Sequence, residues 1–255
     1  MKQIILWSHP RSVSTAFERC IRTLRNGQVF HEPFAVPFYF GPDKQTDDYL
    51  RERPDYVPEA TYQSVAEEIS ARFPGKEFVF VKEMAVSTQN HFEVFLQDEM
   101  KDFQHTFLVR NPEKSLRSLY RTGYFDPGLA GIKELYDMYE FVKNHLDPSP
   151  LVIDSDDLLH FPDEVMRMFC AAVGIGYQEN MMRWTPGPVE GWDRPLCQGW
   201  HDDVMVSSGL RRRTEFNSKS VVGVLPQKVL DAIKENMSYY EAISRHRTSP
   251  DSKTL

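Results

Sequence analysis

The 255-residue chain is short of several things, and each shortage excludes a class of protein. It has three cysteines, Cys20, Cys170 and Cys197, widely spaced and odd in number. That is neither a disulfide framework nor a zinc cluster. Cys20 and Cys170 fall in apolar, helix-like patterns and read as core residues. No apolar run approaches the ~20 residues of a membrane span. The first residues, Met-Lys-Gln-Ile-Ile-Leu-Trp, are too short an apolar stretch for a signal peptide and read as a strand that starts at once. There is no basic excess: the net charge is −7, so a chain-wide field for nucleic acid is missing and any anionic ligand needs local cations. His91, His105, His145, His160, His201 and His246 lack metal-ligand spacing. Internal repeats and low-complexity tracts are absent.

What is present is an alternation of short apolar runs and amphipathic stretches. Residues 2–7, 28–34, 77–81, 105–109 and 151–153 read as strands. Helices are expected over 14–26, closed by Gly27, and over 61–73, 91–101, 129–146, 162–173 (closed by Gly174) and 225–243. Asn111-Pro112-Glu113 opens a further helix with an N-cap, a first-turn proline and a dipole-matched acid. Residues 35–58 read as a long irregular or lid-like segment, and 183–224 as rich in loops. The pattern implies a single α/β domain over 1–245, with a mainly parallel central sheet, helices on both faces and a P-loop nucleotide-kinase-like topology. Residues 246–255 read as a polar, frayed tail. In such a fold ligands bind beyond the carboxyl ends of the strands. That directs attention to 8–15, 31–33, 82–84 and 110–118.

Residues 8–15, Ser-His-Pro-Arg-Ser-Val-Ser-Thr, lie between a strand and a helix. Against the nucleotide-triphosphate loop the length fits and Thr15 is in place. Ser14 stands where the lysine would be, Ser8 and Val13 stand for the glycines, and Arg11 brings a cation to mid-loop. Helix N-terminal amides, the hydroxyls of Ser12, Ser14 and Thr15, and Arg11 suit a phosphosulfate, which needs less positive charge than a β,γ-phosphate pair. A plain Ser/Thr-capped turn is the bland alternative. Arg110 and Ser118, after the fourth strand, offer a second anion site at a helix N-terminus. A capped surface helix with a solvated arginine is the alternative there.

Together these segments resemble the PAPS-dependent sulfotransferases (PAPS being 3′-phosphoadenosine 5′-phosphosulfate). Pro10-Arg11-Ser12-Val13-Ser14-Thr15 is similar to the family's 5′-phosphosulfate loop, except that Val13 replaces a glycine. Arg110 and Ser118 match the Arg and Ser that hold the 3′-phosphate. The stretch 153–176 is similar to the family's strand, Pro-initiated helix and Leu-Gly close. The resemblance covers about residues 2–176, with a weaker echo to 245. It implies transfer of a sulfuryl group from PAPS to a hydroxyl or amine of a small soluble acceptor. 3′,5′-ADP is then the product, and no metal is needed. It implies no nucleic-acid or membrane partner and a cytoplasmic location, and leaves a homodimer open.

On the same resemblance Lys82 serves the donor's bridging oxygen. The histidine base of many soluble members is replaced by Met84, so the base falls to Glu32, with His31 second. Arg11 assists at the reacting end. The cofactor set is Arg11, Ser12, Val13, Ser14, Thr15, Arg110 and Ser118. Ser208 and Arg212 join it from a run that only partly echoes the family's Arg-Lys-Gly loop, and that run is as readily a solvated charge cluster. A β-branched Val13 is expected to refuse a positive φ, so that the loop takes a different turn or binds the phosphate less closely. Trp7, Phe34, Phe38, Tyr39 and Phe40 read equally as acceptor pocket or core. Two other readings stay open: a small-molecule kinase using Asp154 or Asp156 for Mg²⁺, and a nucleotide-binding member of the family without turnover.

Overall fold

The computed structural model describes residues 1–46, 57–192, 199–212 and 224–250. Cys197, Arg213 and the greater part of the 35–58 segment's charged run therefore lie outside the described residues.

Five strands form one parallel sheet in the order β2-β3-β1-β4-β5. They are β1 (Lys2–Ser8), β2 (Gly27–His31), β3 (Phe78–Met84), β4 (Gln104–Val109) and β5 (Leu151–Asp154). Because both faces are covered, the strands carry near-continuous apolar runs rather than an alternation. Side chains still alternate between two cores. Ile5, Trp7, Val79, Val81, Phe107 and Val109 face α3 (Tyr62–Ser70), α5 (Ile132–His145) and α9 (Gln227–Ser244). Ile4, Leu6, Phe78, Phe80, Leu108 and Ile153 face α1 (Ser14–Arg22) and α7 (Pro162–Val173). The remaining helices are α2 (Ala35–Phe40), α4 (Pro112–Tyr120), α6 (Ser155–His160) and the short α8 (Asp202–Met205). No helix among the described residues is long and apolar enough to cross a membrane.

Local chemistry sets the boundaries. α3 starts with reciprocal bonds between Thr61 and Ser64, and α4 with Asn111 Oδ1 accepting from Glu113 N at 2.9 Å ahead of Pro112. α7 runs to Gly174 as its sequence indicates. Four expectations are corrected. The first helix ends at Arg22, and Gly27 opens β2 instead of closing the helix. The Phe78 ring lies so close that a Cβ on Gly27 would meet it at 2.2 Å. Residues 35–40 form α2, with Phe38 and Phe40 buried, rather than irregular chain. The 91–101 segment holds a 3-10 turn over Phe92–Leu96. The tail is not frayed at its start: Thr248 N donates to Val152 O at 2.9 Å, which extends the structural unit past 245.

Candidate active site

The loop between β1 and α1 is held against the sheet by polar stitches. Ser155 Oγ, at the start of α6, lies 2.5 Å from Ser12 O and 2.8 Å from Val109 O. Arg110 Nη1 donates to Arg11 O at 2.7 Å. The buried His9 ring bonds Pro10 O through Nδ1 and accepts from Arg110 N through Nε2, at 3.1 Å each. Burial and the Arg110 charge push its pKa down to about 3, so the ring stays neutral with a fixed tautomer. Gly131 opens α5 directly against this loop, where a Cβ would meet Pro10 Cδ at 2.9 Å.

So restrained, the loop takes left-handed conformations at Arg11 (φ 63°) and Val13 (φ 71°, ψ 8°). The expectation that Val13 would refuse positive φ is therefore corrected. Its side chain packs on the α1–α7 core, and the surrounding bonds hold a conformation that costs of order 1–3 kcal/mol. No side chain caps α1. Ser12 Oγ is buried with no hydrogen-bond partner. Such a loop, running into an uncapped helix N-terminus with a hydroxyl to spare, fits an anionic group.

The second motif meets the first. Arg11 Nε donates to Ser118 Oγ at 3.0 Å, across 107 residues of sequence. Arg11 also reaches Trp200 O at 3.2 Å and Asp203 at 3.8 Å. Ser115, one turn before Ser118, is buried and bonds back into its own helix, so only Ser118 faces out. Lys114 pairs with Asp156 at 2.5 Å, and Tyr240 donates to Asp154 at 2.7 Å.

On the other half of the sheet, β2 and β3 end in a buried charge cluster. Lys82 is fully buried and ion-paired with Glu32. Glu32 sits just past β2 at φ 47° with its side chain 19% exposed. Burial works to raise the Glu32 pKa, but the Lys82 ammonium outweighs it and holds it at about 2. The adjacent Glu83 is buried and accepts from Phe34 N and Met84 N at 2.8 Å each, which fixes the turn carrying Glu32. Burial and the Glu32 carboxylate push Glu83 up to about 8.

His31 does not reach open space. Its Nδ1 lies 2.5 Å from Glu18 Oε2, and its Nε2 lies 3.0 Å from His201 Nε2. The reading of His31 as second base is corrected accordingly, because both ring nitrogens are engaged inside the protein.

One cavity of about 1150 Å³ joins the two halves; Arg11, Val13, Ser14, Thr15, Glu32, Arg110, Ser118 and Arg212 all line it. Ser12 and Lys82 lie behind the wall. Ser208 is exposed and bonds Arg211 and Trp184 N, while its neighbours Ser207 and Gly209 line the cavity. Tyr39, Trp184 and Trp200 reach it, whereas Trp7, Phe34, Phe38 and Phe40 belong to the interior.

Residues that sequence reasoning missed are His9, Glu18, Ser155 and His201. His9 could have been found as a member of the loop itself. Glu18 carried a signal too: a carboxylate on a helix otherwise patterned for burial. Nothing local marks His201.

The family described as "Sulfotransferase domain" matches residues 1–247. The curated "Branched-chain-amino-acid aminotransferase-like protein 2" of Arabidopsis thaliana is 24% identical over 260 residues, covering 100% of this chain and 44% of that protein. The chain thus spans less than half the length of the curated relatives it matches. Among solved structures, a sulfotransferase from Alicyclobacillus acidocaldarius superposes with a TM-score of 0.55 at 11% identity, covering 97% of each chain. The sulfotransferase domain from the curacin biosynthetic pathway gives 0.55 at 12% identity, covering 91% of this chain and 96% of that one. The sulfotransferase-type fold is shared. By the family match over nearly its whole length, the chain belongs to the sulfotransferase-domain family.

Proposed function

We propose, with membership of the sulfotransferase-domain family as premise, that the chain moves a sulfuryl group from PAPS to a hydroxyl or amine of a small acceptor without a metal ion. The observation that carries this reading is the convergence of two motifs on one cavity. Arg11 and Thr15 from the first, and Arg110 and Ser118 from the second, line the same space as Glu32.

In this reading the loop amides, Ser12, Ser14 and Thr15 hold the 5′-phosphosulfate, and Arg11 lies beside it. Arg110 and Ser118 hold the 3′-phosphate. Ser118 Oγ accepts from Arg11 Nε in the free protein, which leaves its own O–H to donate to the phosphate. The bond between sulfur and the bridging oxygen breaks as the acceptor oxygen or nitrogen attacks in line. The acceptor's proton goes to Glu32, and charge on the leaving phosphate oxygen is met by Lys82.

The Lys82–Glu32 pair gives these roles a physical link. A carboxylate held at about 2 is ionised but a poor base. As the Lys82 ammonium turns to the departing oxygen, its hold on Glu32 weakens and the carboxylate's proton affinity rises. Base strength thus grows in step with bond breaking.

Calorimetric titration with 3′,5′-ADP in EDTA, with ATP and AMP as controls, tests the reading. Micromolar binding that requires the 3′-phosphate supports it. Binding of ATP with Mg²⁺ alone would turn it toward a kinase. Tight 3′,5′-ADP binding without turnover over a broad acceptor panel would leave a nucleotide-binding protein.

A further inference from the structure

Behind the phosphate loop runs a chain of polar side chains that the proposed reaction does not use. Glu18 is fully buried on α1. One of its oxygens accepts from Trp192 Nε1 at 3.0 Å and from Arg22 Nε at 2.6 Å. The other meets His31 Nδ1 at 2.5 Å. His31 Nε2 meets His201 Nε2 at 3.0 Å, and His201 Nδ1 lies 3.4 Å from Thr15 Oγ1. Thr15 and His201 line the cavity, whereas His31 and Glu18 are sealed behind them. The chain therefore leads from a buried carboxylate to a hydroxyl of the anion cradle.

Donor and acceptor rules allow two proton arrangements. Glu18 is ionised: burial would raise its pKa, but the hydrogen bond from His31 and the Arg22 guanidinium lower it. It must accept from His31 Nδ1–H. With His31 neutral, its Nε2 accepts from His201 Nε2–H, His201 Nδ1 is a lone pair, and Thr15 gives its only O–H to that lone pair. The hydroxyl then shows the cavity lone pairs, which an anion does not tolerate. If His31 takes up one proton, it still donates to Glu18 and the two bonds beyond it reverse. His31 Nε2–H donates to His201 Nε2, His201 Nδ1–H donates to Thr15 Oγ1, and the Thr15 O–H is free to donate to an anion.

We propose that Glu18, His31 and His201 are positioning residues that turn the Thr15 hydroxyl toward the donor's anionic group by taking up one proton on binding. The inference rests on the reading of residues 8–15 as the donor cradle. The charges facing the chain permit it. Glu18 and Glu32 flank His31, with Glu32 3.7 Å from its Nε2. Lys82 pairs with Glu32 and Arg22 with Glu18, and these cations offset the carboxylates' pull on an extra proton until an anion arrives. In the free protein burial, joined by the Lys82 charge, pushes the His201 pKa down and keeps the ring neutral.

Two measurements on the full chain test this. The first is histidine side-chain ¹⁵N NMR of the free protein between pH 5 and 8. The expected result is a His201 ring that stays neutral, protonated on Nε2 and bare on Nδ1. A ring that titrates near its ordinary value, or carries its proton on Nδ1, overturns the proposal whether or not the nucleotide reading holds. The second is 3′,5′-ADP titration in two buffers of different ionisation enthalpy. The wild type should take up close to one more proton per nucleotide than His201→Asn or Thr15→Val, while Thr15→Ser keeps the wild-type uptake. Equal uptake in all four proteins would mean that the proton belongs to the ligand's own phosphate and would overturn the chain. Failure of the wild type to bind 3′,5′-ADP at all counts against the cofactor reading, and the NMR result then decides the chain by itself.

Discussion

The two ends of the sheet's carboxyl edge are built on different plans. At the β4–β5 end, cations sit on the cavity wall: Arg110, Lys114 and Arg117 line it, and backbone stitches from His9, Ser155 and Arg110 hold the loop beneath. At the β2–β3 end, charge is withdrawn into the protein: Lys82, Glu83, Glu18 and His31 are buried and satisfied by one another or by backbone amides. The first plan suits holding a ligand of fixed charge, because half-buried cations at a cavity wall keep part of their hydration until it arrives. The second suits chemistry, because a proton or charge moved inside a dry cluster changes the affinity of its neighbours strongly. Breaking one member of each end should therefore give different kinds of defect, binding on one side and turnover or folding on the other.

The largest effect is expected from Lys82→Met, which leaves the Glu32 carboxylate facing a buried apolar chain. Losing one partner of a buried pair costs about 3–5 kcal/mol. Protonation of Glu32 relieves part of that, so urea unfolding at pH 7 should show a loss of at least ~2 kcal/mol. Turnover should fall with it. A fully stable variant with normal turnover would remove Lys82 from both roles. Glu32→Gln comes next: nucleotide affinity stays near wild type while turnover falls by ~10²-fold or more. If affinity falls instead, the β2–β3 end is a binding site and the contrast between the ends collapses.

Arg110→Ala is the matching test at the other end. Loss of a charge-assisted contact should weaken 3′,5′-ADP by about 2 kcal/mol, roughly 30-fold, with little change in turnover at saturating donor. Arg110 also bonds Arg11 O. Arg110→Lys, which keeps the charge but loses the fork, should recover part of the affinity if the charge is what matters.

The same contrast governs what was legible in the sequence. The candidates at the β4–β5 end sit in contiguous motifs at strand ends, Arg11 to Thr15 and Arg110 with Ser118, while His9 and Ser155, which hold the loop, were passed over. The fold was legible for a like reason, as buried parallel strands and capped helices leave local patterns. The β2–β3 end was read in part. Glu32 and Lys82 were found by position and by family resemblance, but not that they pair. Glu18 and His201 were missed because a buried network leaves no periodicity, and its members come from α1, β2 and a loop 170 residues beyond His31. Val13 was misread because steric preference was weighed without the tertiary bonds that overrule it. Gly27 was misread because a helix stop and a close strand approach both ask for glycine.

The smallest effect is the one whose sign differs between the two ends. His9, at the β4–β5 end, is neutral when folded and held at about 3, against an ordinary value near 6.5. The unfolded chain binds more protons as pH falls below about 6.5, so His9 removes stability on acidification from pH 7 toward 6. Glu83, at the β2–β3 end, is pushed up to about 8 from 4.5. There the folded chain binds more protons between those values, so Glu83 removes stability as pH rises through the same window. Urea midpoints at pH 6 and 7 separate the two. Relative to wild type, His9→Gln should shift the pH dependence of stability toward acid, and Glu83→Gln should shift it the opposite way. Each shift should be of order 1 kcal/mol across that unit of pH. No shift from Glu83→Gln would mean that Glu83 is ionised in the folded protein as it is in the unfolded chain, held so by the Phe34 and Met84 amides. The buried cluster at the β2–β3 end would then carry one more negative charge than the Lys82–Glu32 mechanism assumes, and Glu32 would be the stronger base for it.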